Sequence, residues 1–271
     1  MSMSTGTHFT EQQWAFIQPL LPKPNKVGRP RANDRRTLEA ILWIDRTGAR
    51  WQDLPPQYGD DSTANRRLLE WQALGVFETI WQAGLQALDE QGQLDLTQTN
   101  LDATFAPAKG GGTEVGNTRK GKGTKIELVS DGRSIPLSVI VASANEAEIT
   151  LAQPTLKAIR ITNRRGRPKT RPALICADKA YDSMPLRRAL RKRGIKTAIP
   201  ERTSQKHKRR KKGPKPRCAK VNYEQRWKVE RTFAWLGNFR RVLIRWERRF
   251  EAFKGFVIFT CMFVTIRNAV T

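Results

Sequence analysis

One run of seven residues, PALICAD at positions 172–178, most constrains what this chain can fold into. Its near-continuous apolar character is typical of a strand buried on both faces, and such strands occur in sheets that helices cover on each side. The run ends in one carboxylate, Asp178. Because an unpaired buried charge costs several kcal/mol, that carboxylate needs a partner. The run therefore predicts an α/β core with a polar site at a strand end.

The segments around this run alternate between strand and helix patterns. Four more short segments are rich in β-branched residues and bounded by Gly or Pro, which predicts strands at 101–106, 123–131, 135–143 and 195–200. Helical patterns occupy 150–161, 184–194 and 222–249. This order predicts an α/β fold over residues 93–271, with a mixed sheet flanked by helices.

Residues 1–92 have a helical pattern instead. A turn-rich connection separates a helix at 34–47 from a third helix, which carries Arg66 and Arg67 in its first turns. Helix, broken turn and basic helix is the outline of a helix-turn-helix, although a plain helical bundle with a solvated basic face has the same spacing. We predict an N-terminal all-α, helix-turn-helix-like DNA-binding domain over these 92 residues.

The balance of charge indicates the partner. The chain has 50 Lys and Arg and 25 Asp and Glu, a formal charge of +25. Such a field attracts polyanions and binds them with release of counterions, so double-stranded DNA is the predicted partner. The longest apolar stretch, 256–266, is too short to span a bilayer, so it predicts a core helix and no membrane association. Residues 203–220 contain nine Lys and Arg and no acid, which predicts a flexible basic loop.

Other sequence features are less decisive. The three cysteines have neither disulfide-framework nor zinc-ligand spacing, and the N-terminus has no secretory pattern, so we expect a reducing, cytoplasmic compartment. Segments 27–33 and 164–170 share a Gly-Arg-Pro core. They are compatible with arginines that enter an A·T minor groove, but the pattern favours solvated linkers with ordinary turn chemistry.

Three acids at the ends of apolar elements form a candidate site. Asp102 lies in the first predicted strand, Asp178 ends the fourth, and Glu230 lies on an inward, aromatic stripe of the last helix. Converging carboxylates suit Mg²⁺, and a metal pair activates a water or a 3′-hydroxyl for in-line displacement at phosphorus. Turn, cap or ion-pair roles for these acids stay open. The alternative ligands are Asp131, Asp182, Glu146 and Glu148.

Blocks along nearly the whole chain resemble a known family. They are LDATFAPAKGGG from 101, GTKIELVSDGRSIPL from 123, ADKAYDS from 177 and RWKVERTFAWLGNFRR from 226. In this order they resemble the DDE transposases of the IS4/IS5 superfamily of bacterial insertion sequences, and most of all the IS5 family. The N-terminal blocks FTEQQWAFIQPLLP and GARWQDLPPQYG are similar to the helical DNA-binding region of those proteins.

This resemblance implies an RNase H-like catalytic domain that cuts and joins DNA at the ends of its own element. It implies two Mg²⁺ ions per active site, for which Mn²⁺ would substitute. By position, the catalytic and metal-binding acids are Asp102, Asp178 and Glu230. The family's Tyr-Arg-Glu signature falls on Tyr223, Arg226 and Glu230, whereas its final basic position is Gly237 in this chain.

The resemblance also implies a DNA-facing set of residues. Arg240 or Arg241 would supply the basic residue one turn after Gly237. The full predicted set is Arg66, Arg67, Lys179, Tyr181, Tyr223, Arg226, Lys228, Arg231, Arg240 and Arg241. We expect a homodimer or larger assembly in the DNA complex and a bacterial, nucleoid-associated location. The alternatives are a domesticated, non-transposing DNA-binding protein and a stand-alone RNase H-fold nuclease.

Overall fold

A mixed sheet of six strands forms the centre of the structure, a computed structural model that describes residues 8–23, 31–163, 166–201 and 227–270. The strands are β1 (Thr99–Pro107), β2 (Gly116–Thr118), β3 (Gly121–Ser130), β4 (Pro136–Ser143), β5 (Leu174–Cys176) and β6 (Lys196–Ala198). They lie in the order β2-β3-β1-β5-β6, and β4 also pairs with β3. β3 is antiparallel to β1, β2 and β4, whereas β5 is parallel to β1 and β6. The predicted mixed sheet is confirmed.

Helices cover both faces of the sheet. Successive residues of β3 point to opposite faces, and both Glu127 and Leu128 are fully buried. The described helices are α1 (Glu11–Ile17), α2 (Asp34–Thr47), α3 (Asp61–Ala73), α4 (Val76–Glu90), α5 (Glu148–Lys157), α6 (Met184–Lys192), α7 (Trp227–Gly237), α8 (Arg240–Leu243) and α9 (Phe250–Ala269). The helical character predicted for the N-terminal region is confirmed.

The last helix, α9, joins the two regions of the chain. Nearly all of its residues are buried, and it packs against α3, α4 and β4. Phe259 of α9 meets Phe77 of α4 edge-on, with 5.3 Å between the ring centroids. One continuous hydrophobic cluster therefore includes both the helical region and the sheet. The boundary between residues 92 and 93 stays a prediction, whereas the core helix predicted at 256–266 is confirmed.

The long helix predicted for 222–249 is wrong in its described part. α7 ends at Gly237, α8 is a single turn, and Arg245 forms a parallel bridge with Ala108 at the end of β1. Glycine is about 1 kcal/mol less favourable than alanine inside a helix, so Gly237 weakens continuation of α7. The fully buried guanidinium of Arg245 donates to the Thr113 and Glu114 carbonyls at 2.8 and 3.0 Å, which favours the extended path.

One strand prediction also needs correction, and one observed strand has no counterpart among the predictions. Only Leu174–Cys176 of the run at 172–178 belongs to the sheet, because the chain turns at Asp178. The short strand β2 was not predicted, since its residues Gly116–Thr118 lack an apolar pattern. None of the described helices combines the length and apolarity needed to cross a membrane.

Candidate active site

The two aspartates predicted as catalytic lie on neighbouring strands. β1 and β5 are parallel, with Asn100 paired to Cys176. Asp102 and Asp178 each lie two residues beyond that pair, and both are half-buried. Residues two apart on an extended chain share a face. The register therefore brings both aspartates to one level just beyond the parallel pairing, in the middle of β1 and after the end of β5. The carboxyl ends of parallel strands are where α/β sheets hold functional residues, and Asp178 lies at such an end.

Local hydrogen bonds orient both carboxylates. Asp178 caps the 3-10 turn formed by Lys179–Tyr181, and its Oδ1 accepts the N–H of Ala180 at 2.7 Å. Oδ1 of Asp102 accepts the N–H of Ala103 at 2.9 Å. An oriented carboxylate loses less side-chain entropy when it binds a ligand. Both aspartates are therefore prepared to bind a cation or another partner.

Glu230 lies over the same face of the sheet on helix α7. Phe233 of α7 and Thr104 of β1 line one apolar cavity. Thr104 is two residues beyond Asp102, so α7 covers the face that carries Asp102. Glu230 precedes Phe233 by about one helical turn and is exposed. Glu230 is thus carried by the helix that packs over this face, one turn before Phe233.

Arg231 fixes the first turns of α7 next to Glu230. Its Nε donates to Oγ of Ser134 at 2.8 Å, and its Nη2 donates to the backbone carbonyl of Arg133 at 2.8 Å. The guanidinium also lies 5.0 Å from the ring centroid of Trp227 and 5.3 Å from that of Trp235. Arg231 is therefore stacked between two indoles and bonded to the β3–β4 turn.

The three predicted ligands do not form a single cluster. Among the described residues, no three Asp, Glu, His or Cys side chains lie close enough together to hold a metal ion. The structure aligns Asp102 with Asp178 and leaves Glu230 exposed on the adjoining helix. The donor chemistry fits a hard divalent cation, because all three groups are carboxylates.

Tyr181 is the last residue of the 3-10 turn that follows Asp178, and it is fully buried. Its pKa is raised, first by burial and then by the negative charges of Glu127, Glu148, Asp102 and Asp178. Four acidic side chains therefore lie close enough to this neutral phenol to affect its pKa. A buried side chain does not face solvent, so this placement does not favour the DNA contact predicted for Tyr181.

Glu127 is a buried acid beside the site that the sequence pattern did not single out. Burial raises its pKa to about 9, and the charge of Glu148 adds to this effect. The Tyr181 hydroxyl lies near enough to lower the pKa slightly, but neither group makes a hydrogen bond of regular geometry within the described residues. Glu127 is therefore protonated at neutral pH. Alternation along GTKIELVSD was the available indication, since it puts Glu127 on a covered face.

The other candidate acids have local roles. Asp131 is buried and accepts the N–H groups of Arg133 and Ile135 at 2.8 and 2.7 Å, so it closes the β3–β4 turn. Burial raises its pKa to about 6. Asp182 pairs with Arg187 at 2.9 Å. Glu148 begins α5, and Glu146 is exposed before it.

The predicted DNA contacts on α3 and in the turn after β5 differ in how far their side chains are exposed. Arg66 and Lys179 are exposed. Arg67 instead donates to Glu70 at 2.8 Å, and its guanidinium lies 5.6 Å from the ring centroid of Trp71. Arg66 and Lys179 are therefore the better placed to meet a phosphate.

The contacts predicted near α7 and α8 divide in the same way. Arg240 is exposed, and Lys228 is half-buried. Arg241 is 5% exposed and pairs with Glu247 at 2.8 Å, so its charge is not presented to solvent. Tyr223, Arg226 and the basic loop at 203–220 lie outside the described residues.

Two protein-family models match this chain. One, described as a putative transposase of the IS4/5 family, matches residues 9–81, and the other, described as a transposase DDE domain, matches residues 95–264. This chain belongs to the DDE transposases. The predicted IS4/IS5-superfamily resemblance is confirmed. DDE transposase domains generally use divalent metal ions.

Curated relatives of this DDE transposase are also similar in sequence. The putative transposase for insertion sequence element IS402 from Burkholderia cepacia is 37% identical over 151 residues, which cover 54% of this chain and 66% of the relative, just under two thirds. An uncharacterized 16.2 kDa protein of IS402 is 36% identical over 40% of this chain and 78% of its own length. Protein y4sN of Sinorhizobium fredii is 32% identical over 43% of this chain and 86% of its own length.

A solved structure shares the fold. The piggyBac transposase, in a synaptic complex with hairpin DNA, matches with a TM-score of 0.52 at 12% identity. The match covers 94% of this chain and 70% of the piggyBac chain. At this identity, the likeness supports the fold of this DDE transposase alone.

Proposed function

We propose that this DDE transposase binds the terminal inverted repeats of an insertion sequence, cleaves the DNA ends and joins the 3′-ends to target DNA by divalent-metal-dependent phosphoryl transfer. The observation that carries this proposal is the shared level of Asp102 and Asp178, each two residues beyond the last pair of the parallel strands β1 and β5. The match of residues 95–264 to the DDE domain supports it.

Asp102, Asp178 and Glu230 would hold the metal, which we propose to be two Mg²⁺ ions with Mn²⁺ as a substitute. Bound metal supplies activation of a water or a 3′-hydroxyl and neutralises charge at phosphorus. The protein contributes the aligned aspartates, the helix that carries Glu230, and the exposed Lys179 beside Asp178 to orient a phosphate. Protonated Glu127 adds no negative charge behind this site.

The proposed partners are double-stranded DNA at the element ends and in the target. A homodimer or larger assembly would hold two ends together, because both must be processed. We propose Arg66, Lys228 and Arg240 as DNA contacts, together with Tyr223 and Arg226, which lie outside the described residues. We propose a bacterial cytoplasmic, nucleoid-associated location.

A strand-transfer assay tests the proposal. Labelled element-end duplex, plasmid target and Mg²⁺ or Mn²⁺ are incubated with the full chain and with the Asp102→Asn and Asp178→Asn variants. We expect joined product from the wild type, and a loss of at least about a thousandfold in either variant with DNA binding retained, because each removes one anionic ligand. Asp53→Asn, at an exposed ion pair with Arg50, is the control for the substitution itself.

The outcomes separate the competing functions. Cleavage without joining would indicate a nuclease, and binding without cleavage would indicate a DNA-binding protein. Full joining activity in either active-site variant would remove that aspartate from the proposed site.

A further inference from the structure

The hairpin between β2 and β3 ends in a rigid basic tip. Arg119 and Lys120 form its two-residue turn, between the paired residues Thr118 and Gly121. The Thr118 hydroxyl donates to the Gly121 carbonyl at 2.9 Å and accepts the N–H of Lys120 at 3.1 Å. Arg119, Lys120 and Lys122 are all exposed. We call residues 118–122 the basic finger.

A buried arginine fixes the base of the basic finger. The Arg245 guanidinium, which is fully buried, donates to Oγ1 of Thr124 at 2.6 Å and to the carbonyl of Glu114 at 3.0 Å. Thr124 lies two residues beyond Lys122 on β3, and Glu114 lies just before β2. Both strands of the hairpin are therefore anchored, so the finger projects from the sheet with little freedom at its base.

The basic finger belongs to the same sheet face as the predicted active site. Asp102 pairs with Leu128 on β3, and residues of β3 two apart share a face, so Lys122 lies on the face of Asp102. Gly121, the β3 residue next to the turn, is seven positions before Leu128. At about 3.3 Å per residue, the start of the turn lies roughly 23 Å along the strand from the level of Asp102.

The composition of this hairpin favours a polyanion. Residues 115–126 contain four Lys and Arg and no acid. The neighbouring segment adds exposed Arg248 and Arg249, and Arg248 packs against the loop that precedes β2. The major groove of B-DNA admits a two-stranded ribbon, and arginine at its tip can bond guanine O6 and N7.

We propose that a duplex whose end lies at the active site runs along β3, so that the basic finger enters its major groove roughly seven base pairs from the scissile phosphate, given about 3.4 Å per base pair. This proposal rests on the proposed function, because it takes the site at Asp102 and Asp178 as the place where DNA is cleaved. It assigns to Arg119, Lys120 and Lys122 the reading of the internal part of the element end.

The test compares two variants that each remove three positive charges. R119A/K120A/K122A removes the finger's charges, and R188A/R191A/K192A removes exposed charges from α6, which packs beside the opposite edge strand, β6. Affinity for an element-end duplex is measured together with interference by methylation of guanine N7, an atom of the major groove. The conservative variant Arg119→Gln, with thermal unfolding of each protein, distinguishes lost contacts from lost folding.

We expect the finger variant to lose about 10–100-fold in affinity and to lose the N7 interference about five to nine base pairs from the cleavage site. We expect Arg119→Gln to weaken that interference and the α6 variant to keep it. If the finger and α6 variants give the same interference pattern, the finger proposal is wrong. Cleavage by the wild type in the same experiment would still support the proposed function. A wild type that neither binds nor cleaves the duplex would overturn both.

Discussion

Glu127 is a neutral carboxyl group close enough to Asp102 for the charge of Asp102 to help raise its pKa. Glu127, Asp102 and Asp178 are all carboxylic acids, and their surroundings separate them: the two aspartates are half-buried, whereas Glu127 is fully buried. Desolvation disfavours the charged form, so the proton stays on the buried member. The protonated Glu127 therefore adds no negative charge near Asp102.

This difference gives a prediction for the Glu127→Gln variant. In the wild type the pKa of Glu127 is about 9 in the folded protein against 4.5 for the ordinary side chain, so the folded form binds more protons between these values. Wild-type stability therefore falls as pH rises through that window, by about 1.4 kcal/mol per pH unit at most. Glutamine has no proton to lose, so the stability of the variant relative to the wild type should increase with pH.

Urea unfolding from pH 5 to 9, with chelator present, measures this difference. Glu146→Gln, at an exposed glutamate, is the matched control. If the wild-type and Glu127→Gln curves run parallel across the range, the raised pKa is wrong.

The positions of Asp102 and Asp178 in the fold could be predicted from sequence better than the burial of the residues around them. Each aspartate follows or interrupts an apolar strand pattern, and the parallel register of β1 and β5 aligns the two. Their role as metal ligands stays a prediction. The burial of Tyr181 and Arg241 could not be predicted, because it depends on elements far away in the chain. Arg241 donates to Glu247 and to the carbonyl of Ala49, 192 residues earlier. Such contacts have no local pattern.

Among the elements, the close packing of α4 and α9 depends on glycine. A Cβ added to Gly84 of α4 would lie 2.9 Å from Cδ1 of Ile266, whereas one added to Gly255 of α9 would meet Leu68 at an ordinary 3.4 Å. Alanine favours a helix over glycine by about 1 kcal/mol. The two glycines therefore have opposite expected responses to the same substitution.

We predict that Gly84→Ala lowers the free energy of unfolding by about 1–2 kcal/mol, because overpacking outweighs the helix propensity. Gly255→Ala, the matched control, should leave it unchanged or raise it by up to about 1 kcal/mol. Chemical unfolding at one pH measures both. Equal effects of the two substitutions would contradict the close approach of α4 to Ile266.

The elements themselves were predicted where local patterns are strong. β1, β3 and β4 were expected within two residues of their observed bounds, because alternating β-branched residues and Gly or Pro turns define them. The break after α7 could not be predicted, since residues 238–249 keep a helical composition, whereas the contacts of the buried Arg245 hold the segment that follows α8 out of a helix. β2 was missed because it exists only by pairing with β3.

At the scale of the whole molecule, positive charge is distributed unevenly. The first 92 residues contain ten Lys and Arg and eleven Asp and Glu, whereas the remaining 179 contain 40 and 14. The helical region is therefore close to neutral, and the field that attracts DNA comes from the part that includes the sheet.

This distribution predicts how DNA binding depends on salt. The logarithm of the affinity should fall steeply with the logarithm of salt concentration, since each phosphate contact contributes a slope of about −0.9. Arg66→Ala should reduce the slope by no more than about 0.9, because it removes one contact from a nearly neutral region. Titrations of one duplex at several salt concentrations measure the slope. A flat profile for the wild type would contradict the role of the basic surface.

The packing of α9 on α3 and α4 also affects how the protein is made. α4 ends at Glu90 and α9 begins at Phe250, so about 160 residues are synthesised between the two helices that must meet. At about 5–20 residues per second, the ribosome needs on the order of ten seconds or more for that stretch. During this time the surfaces of α3 and α4 that α9 later covers lack that partner and are open to chaperones. A ribosome that stops early releases N-terminal helices without their cover, so shortened translation products should be degraded rather than compete for DNA.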